Sequence, residues 1–252
     1  MRLYNKNAII TGGAGAIGSM VARRFLEEGA NVLILDRDEK ALDRLIKNVK
    51  RNGRLINCMK IDVSSEDSVN SVMVETAKYF KNEKIDILAN VAGIGPFAKF
   101  TDLTVEKWDK TINVNLRGTF LVSKFVTEVM VKNGGGVIVN MSSTNGLLAE
   151  EGLAAYNASK AGVILLSKTM ALELAKYNIR VNSVCPGFIK TKLLESAGLP
   201  KKMIDNYVKK IPLGRLGSTL DVANVFVFLA SDESAFITGT EIVVDGGQIC
   251  QE

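Results

Sequence analysis

Apolar positions along this chain fall into short uninterrupted runs that alternate with helical stripes. Asn7 to Ile10 reads as a buried strand, and a helix follows residues 11–18 and runs to about Glu28. Asn31 to Leu35 reads as a second strand, ending at Asp36. Short apolar runs suit strands covered on both faces, whereas i, i+3, i+4 spacing suits helices packed on one side. The alternation continues with a helix from about Glu39 to Asn52 and a strand from Leu55 to Ile61, closing on Asp62-Val63. Ser64 or Ser65 is placed to cap a helix to about Phe80. Strands at Ile85–Ala89 and Val137–Met141 flank one long helical region, about Val105 to Lys132, that contains Asn113-Val114-Asn115. A helix around Tyr156, a strand from Arg180 to Val184, a helix from Asp221 to Ala230 and a strand from Glu241 to Val244 complete the pattern. Repeated strand–helix units predict an α/β fold, a doubly wound parallel sheet in a single domain over residues 1–252. Residues 191–217 break the rhythm, with Gly198, Pro200, Pro212, Gly214 and Gly217 around an amphipathic piece, Met203 to Val208. An irregular insert of this length is expected to be a lid or binding loop, the alternative being a plain surface excursion.

Composition narrows the chemistry. The chain has no histidine, which excludes a Ser-His-Asp triad, a Cys-His pair and any histidine-ligated metal site. Proton transfer then falls to Tyr, Lys, Asp or Glu, and no metal is expected. Cys58, Cys185 and Cys250 are odd in number and widely spaced, giving neither a disulfide framework nor zinc spacing. At 47% hydrophobic residues the chain is a packed globule, yet no run reaches the roughly 18 apolar residues of a membrane span. The start, Met1 to Lys6, lacks the apolar region of a signal peptide, so a cytoplasmic protein is expected. The net charge of +5 is scattered along predicted helices, densest at Lys47, Lys50, Arg51 and Arg54. Without interleaved aromatics this reads as a solvated face and not as a nucleic-acid platform.

Two motifs carry the candidate chemistry. Gly13, Gly15 and Gly18 match G-x-G-x-x-G between a strand and a helix, the context a dinucleotide fingerprint requires. Such glycines permit a tight turn and let a pyrophosphate approach backbone N–H groups at a helix N-terminus. Asp36 lies 18 residues beyond Gly18, placed to bond the ribose hydroxyls of an adenosine; the alternative is that it caps the helix starting at Glu39. Tyr156 and Lys160 stand four residues apart and share a helical face. An ammonium beside a phenol favours the phenolate, so Tyr156 is expected to titrate low enough for acid/base work near neutrality.

Taken together, these residues resemble the short-chain dehydrogenase/reductase family in its compact single-domain form, over nearly the whole chain. Thr11-Gly12 with Ile17-Gly18, Asp62, Asn90-x-Ala92-Gly93, Asn115, Ser143, Tyr156-x-x-x-Lys160, Pro186-Gly187 and Thr191 fall in family order. Tyr156 follows Ser143 by 13 residues, the family spacing. The resemblance implies a Rossmann fold and an oxidoreductase that moves hydride between NAD(H) and a secondary alcohol or carbonyl, such as a polyol, sugar or hydroxy compound. It implies Tyr156 as general acid/base, with Lys160 lowering its pKa and bonding the nicotinamide ribose. Ser143 would bond the reacting oxygen, and Asn115 would hold a water linking Lys160 to solvent. Gly12, Gly15, Ile17 and Gly18 would hold the cofactor at the glycine turn, Asp36 and Arg37 would meet the adenosine ribose, and Asp62-Val63 would flank the adenine. Asn90, Ala92 and Gly93 would line the cofactor cleft, with Pro186-Gly187 beside it, and Ile189 with Thr191 would fix the carboxamide. Asn113 competes with Asn115, which is preferred because it lies five residues before Phe120, and Ser142 competes with Ser143. Two positions depart from the family pattern. Ala16 replaces the middle glycine and would crowd the turn slightly unless the shifted Gly15 compensates, and Val91 replaces a second asparagine whose amide would support the sheet.

A 3-oxoacyl-carrier-protein reductase has the same pattern. It would need a basic docking face, for which Arg117, Lys124, Lys168 and Arg180 are candidates, but Asp36 points to NAD where such reductases mostly use NADPH. The reading from another class is a non-catalytic NAD-binding regulatory protein, against which the complete Ser143/Tyr156/Lys160 set argues. The resemblance also implies a homo-oligomer, most simply a tetramer, pairing helices at about 105–132 and 155–176 that carry Phe120, Phe125, Leu165 and Leu166. Glu150 and Glu151 near the cleft favour a neutral small-molecule substrate over an anionic acid.

Overall fold

The computed structural model describes residues 1–48, 56–80, 84–191 and 201–250. Its main sheet contains β1 (Asn7–Thr11), β2 (Asn31–Asp36), β3 (Ile56–Lys60), β4 (Ile87–Asn90), β5 (Gly136–Met141), β6 (Ile179–Pro186) and β9 (Glu241–Val244). Their order is β3-β2-β1-β4-β5-β6-β9, and every neighbouring pair is parallel. Two-residue strands β7 (Ile189–Lys190) and β8 (Gly217–Ser218) pair separately.

The apolar runs are two-sided because the sheet is covered on both faces. Ile10, Ile34, Ala89 and Val139 share one face, packed by α1 (Ala16–Glu27) and α8 (Thr219–Ala230) through Val21, Phe25, Val222 and Phe226. Ile9, Leu33, Leu88 and Ile138 share the other, packed by α3 (Glu66–Tyr79) and α5 (Gly118–Lys132) through Val69, Val122, Val126 and Met130. Burying each such side chain contributes about 1.5–3 kcal/mol, so the alternation is strongly fixed. The strand order reverses between β1 and β4, and Thr11 at the end of β1 pairs with both Leu35 and Asn90. That switch point is where a doubly wound sheet opens a crevice for ligands.

The helix ends follow local chemistry. α2 (Glu39–Asn48) is capped by Asp38, whose carboxylate accepts the Ala41 N–H. Ser65 caps α3 by accepting the Ser68 N–H, while Ser64 bonds Asp62 instead. Ser218 and Asp221 form a reciprocal capping box at α8. Thr219 therefore opens that helix, two residues before the expected start.

Other differences from expectation are physical. The region from Val105 to Lys132 is not one regular helix. α4 (Val105–Ile112) passes into a π-helical turn, Asn113–Arg117, before α5. β6 runs on through Cys185 and Pro186, past the expected strand end at Val184. The irregular insert contains α7 (Lys201–Lys209), longer than the amphipathic piece expected there. The expected helix end beyond Asn48, Leu55, most of the basic cluster and residues 192–200 lie outside the described residues.

Candidate active site

The glycine turn after β1 is built by close approach. Gly12 has φ +63°, and a Cβ there would stand 2.6 Å from the Ala92 backbone. A Cβ on Gly18 would run into the Gly12 carbonyl. Gly13 instead faces the core, where a Cβ would meet Ile34, so its part in the motif is packing. Ala16 is exposed and opens α1, so the crowding expected of its methyl group does not occur within the turn. Gly15 at the N-cap brings no side-chain cap to the first N–H groups of α1. Those donors can take an anion.

Asp36 accepts the Ala14 N–H at 3.0 Å and the Asp38 N–H at 3.1 Å. It ties the end of β2 to the glycine turn, and the helix cap belongs to Asp38. Across the crevice, Asp62 accepts from Ser64, and its carboxyl is held below the usual range first by that bond and in part by the charge of Arg37. At the end of β4 the Thr11 hydroxyl accepts the Val91 N–H at 3.2 Å, while the Val91 side chain packs on the core. The loop therefore has a support other than the side-chain amide the family places there.

Asn90 differs from its expected position. It is buried, with Nδ2 donating to Ser123 Oγ and Asn140 Oδ1, both at 2.9 Å, and Asn140 continues the chain to Ser167. It stands behind the cleft wall, which Val91, Ala92 and Gly93 provide. Ile189 likewise packs towards the core and Gly217. Pro186 turns its carbonyl towards the Ser143 and Thr144 hydroxyls, and Gly187 backs onto Asp245. Thr191 does reach the cleft.

α6 (Ala154–Leu174) carries Tyr156 and Lys160. Lys160 is buried, donates to the Met141 carbonyl at 2.9 Å, and sits 5.6 Å from the centre of the Tyr156 ring. Burial pulls its ammonium down to about 8. The expectation that Tyr156 titrates low is not met, because its phenol is held above the ordinary value. Loss of solvent around the phenol raises it, Glu150 and Cys185 add to the rise, and the Ser143 hydrogen bond opposes them. A lysine whose own charge is penalised by burial does not outweigh that desolvation.

Ser143 lies beside Tyr156, with its hydroxyl accepting the Asn145 N–H at 3.1 Å. Ser142 is turned away and donates to the Lys160 carbonyl at 2.8 Å. Asn115 is fully buried, its side chain bonding both the N–H and the carbonyl of Ile94 and donating to Ser159 Oγ at 2.9 Å. Its amide is filled by protein partners, while Asn113 faces the cleft. A Cβ at Gly93 would lie 3.3 Å from both Asn115 Oδ1 and Lys160 Nζ. Gly95, which sequence reasoning missed, lets the Tyr156 ring approach; a Cβ there would stand 3.1 Å from it. The Gly93-Ile94-Gly95 spacing was the available signal.

Asp36, Arg37, the glycine turn, Ala92, Gly93, Tyr156 and Lys160 line one cleft of about 820 Å³. A cleft lined by the uncapped first turn of α1 and by the Asp36 carboxylate, with Tyr156 and Lys160 in the same lining, fits a nicotinamide dinucleotide. Among the described residues no group of His, Cys, Asp and Glu is arranged to hold a metal.

Fold and site define the class of doubly wound α/β oxidoreductases that use a nicotinamide cofactor. Residues 12–248 match the family model described as enoyl-(acyl carrier protein) reductase. The chain is 42% identical over 249 residues to the 3-oxoacyl-[acyl-carrier-protein] reductase FabG of Thermotoga maritima, covering 99% of this chain and 100% of that one. It is 37% identical to an NAD-dependent glycerol dehydrogenase of Listeria innocua, covering 97% and 94%. A short-chain type dehydrogenase/reductase from Mycobacterium ulcerans superposes with a TM-score of 0.93 at 30% identity, covering 100% and 92%. The chain belongs to the short-chain dehydrogenase/reductase family.

Proposed function

We propose that this chain is an NAD(H)-dependent enzyme acting on a secondary alcohol or the corresponding ketone, with a small neutral polyol, sugar or hydroxy compound as substrate. The observation that carries the reading is the meeting of Ser143, Tyr156 and Lys160 at a cleft that Asp36 also lines. When bound, the nicotinamide supplies or accepts the hydride. Tyr156 Oη gives its proton to the carbonyl oxygen in reduction and takes one from the alcohol in oxidation. Ser143 Oγ, already an acceptor from Asn145, donates to that same oxygen. Lys160 is fixed by the Met141 carbonyl close to the Tyr156 ring. Asn115 holds the Ile94 backbone and Ser159, and so fixes the wall opposite α6.

Asp36 supports NAD over NADP, because its carboxylate can accept from both ribose hydroxyls and repels a 2′-phosphate. The named cofactor of the Listeria relative points the same way. A panel of polyols, sugars, hydroxy acids and hydroxysteroids with NAD⁺ and NADP⁺, followed by absorbance of the reduced cofactor, tests the reading. Turnover of none of them overturns it, and would leave the non-catalytic regulatory reading in its place.

Identity to the Thermotoga reductase favours a second reading, 3-oxoacyl-carrier-protein reduction. Its basic docking face is weakened by the structure. Arg180 is half-buried and donates to the Ile237, Leu229 and Ser231 carbonyls. Arg117 is engaged by Ser64 and Glu66, and Lys168 by Glu241 at 2.9 Å.

A homotetramer paired through α5 and α6 is part of the proposal. Leu165 and Leu172 on α6 are 66% and 84% exposed and Phe120 on α5 is 45% exposed, while Phe125 and Leu166 are half-buried. Neither nucleic acid nor a membrane enters this reading. Among the described residues no helix is long and apolar enough to cross a membrane, and all three cysteines are unpaired, which supports a cytoplasmic location.

A further inference from the structure

A hydrogen-bonded chain leads from Ser143 to the helix of the irregular insert. Ser143 Oγ accepts the Asn145 N–H, and Asn145 Nδ2 donates to Glu150 Oε2 at 3.1 Å and to Asn157 Oδ1 at 3.1 Å. Asn157 in turn donates to the Glu150 carbonyl at 3.0 Å. The Tyr207 hydroxyl of α7 donates to Glu150 Oε1 at 3.3 Å, and its ring stacks on Phe188 at 3.7 Å. Among the described residues no ammonium or guanidinium lies within salt-bridge distance of Glu150; its half-buried carboxylate accepts from the neutral Asn145 and Tyr207 and borders a hollow that Lys99 also lines. Its charge is close enough to bear on the phenols of Tyr156 and Tyr207.

We propose that Glu150 sets the charge selectivity of the site: it accepts a hydrogen bond from a hydroxyl beside the reacting carbon and rejects a carboxylate there. The inference rests on the dehydrogenase reading above and narrows its substrate class to neutral vicinal diols and polyols, or their hydroxyketones. A half-buried carboxylate whose described partners are neutral donors can accept from substrate O–H groups and repels a second anion. Asn145 and Asn157 hold the loop that presents Glu150, and Tyr207 occupies the oxygen that a substrate hydroxyl would take over.

Three alcohols of one skeleton test this: lactate, propane-1,2-diol and 1-aminopropan-2-ol, which differ only in carrying an anionic, neutral or cationic group beside the secondary alcohol. In the wild type kcat/KM for the diol should exceed that for lactate by about 100-fold or more, with the amino alcohol no worse than the diol. In Glu150→Gln the diol-to-lactate ratio should fall at least about tenfold, mostly through KM, and the amino alcohol should lose its standing. Glu150→Asp should restore the ratio, and Tyr207→Phe, which keeps the carboxylate, should leave it within about threefold. The groups facing the Tyr156 phenol are Ser143, Glu150, Cys185 and Lys160. Removing the Glu150 charge should therefore move the acid/base limb of the kcat/KM profile to lower pH. A folded, active Glu150→Gln enzyme whose diol-to-lactate ratio is unchanged overturns the inference alone. A wild type that turns over none of the three alcohols, nor any of the wider panel, overturns the dehydrogenase reading and this inference falls with it.

Discussion

Lys160 Nζ donates to the Met141 carbonyl at 2.9 Å and stands 5.6 Å from the centre of the Tyr156 ring, in a position without solvent. Its ammonium is pulled from 10.5 down to about 8, the first cause being burial. Below the folded value both folded and unfolded chains hold the proton, and the folded chain bears the full cost of the buried charge. Between about 8 and 10.5 the unfolded chain binds more protons, so this group makes stability rise with pH across that window. The shift corresponds to roughly 3 kcal/mol of cost at neutral pH. Lys160→Met removes it but leaves the Met141 carbonyl without its donor, which costs about 1–3 kcal/mol. The variant should melt at or above the wild type at pH 7, and its advantage should shrink by pH 10. Thermal unfolding at both pH values measures this, and a difference that does not change with pH contradicts it.

Tyr156→Phe should abolish turnover while leaving cofactor affinity within a few-fold. The ring still fills the space beside Gly95, but no transferable proton remains. General acid/base catalysis contributes about 10²–10⁴ in rate. A variant keeping more than about a tenth of wild-type kcat would mean that the proton comes from elsewhere.

The parallel sheet was legible because its strands are buried on both faces, so their apolar runs stand out from amphipathic helices. The site was legible where a residue type is forced by chemistry or by close approach: the glycines near Ala92, Asp36 at a strand end, and Tyr156 four residues before Lys160. What could not be read was the balance of environments. Spacing says that Tyr156 and Lys160 share a face, but only packing says that burial outweighs the lysine charge at the phenol. The π-helical turn at Asn113–Arg117 leaves no mark in the apolar pattern, because the long-range bonds of Asn115 to Ile94 are tertiary. Arg180 read as a surface charge, yet its guanidinium straps three carbonyls together.

The exposed leucines of α6 predict assembly. Leu165 and Leu172 lie seven residues apart, two turns along one face, at 66% and 84% exposure. Covering them against a second copy removes apolar surface that the sheet leaves open. Sedimentation at micromolar concentration should give a multiple of 27.3 kDa, with a fourfold mass expected. Leu165→Glu should lower the mass by placing an unpaired charge in the interface. A wild-type monomer would exclude the assembly.

Asp36 should decide the choice of cofactor. The carboxylate is held at the end of β2 by the Ala14 and Asp38 N–H groups, and it lines the cleft. The alternative reading, that Asp36 serves only to cap α2, is met by Asp38, which accepts the Ala41 N–H at 3.0 Å. Replacing Asp36 should therefore spare the helix cap and act mainly on the ligand and the glycine turn. A 2′-phosphate would remove one hydroxyl donor and bring a like charge to the carboxylate, costing on the order of 3 kcal/mol before screening. Arg37 also lines the cleft and offsets part of that by bonding the phosphate. The expected wild-type preference is roughly 10- to 100-fold for NAD, since about 1.4 kcal/mol is tenfold. In Asp36→Ala, kcat/KM with NAD should fall and that with NADP should rise. Asp36→Asn, which keeps an acceptor for the Ala14 N–H, separates the lost charge from a loosened turn: it should gain NADP use with less loss of NAD use. Equal use of both cofactors by the wild type, or an Asp36→Ala preference identical to wild type, would show that the discrimination lies in other residues.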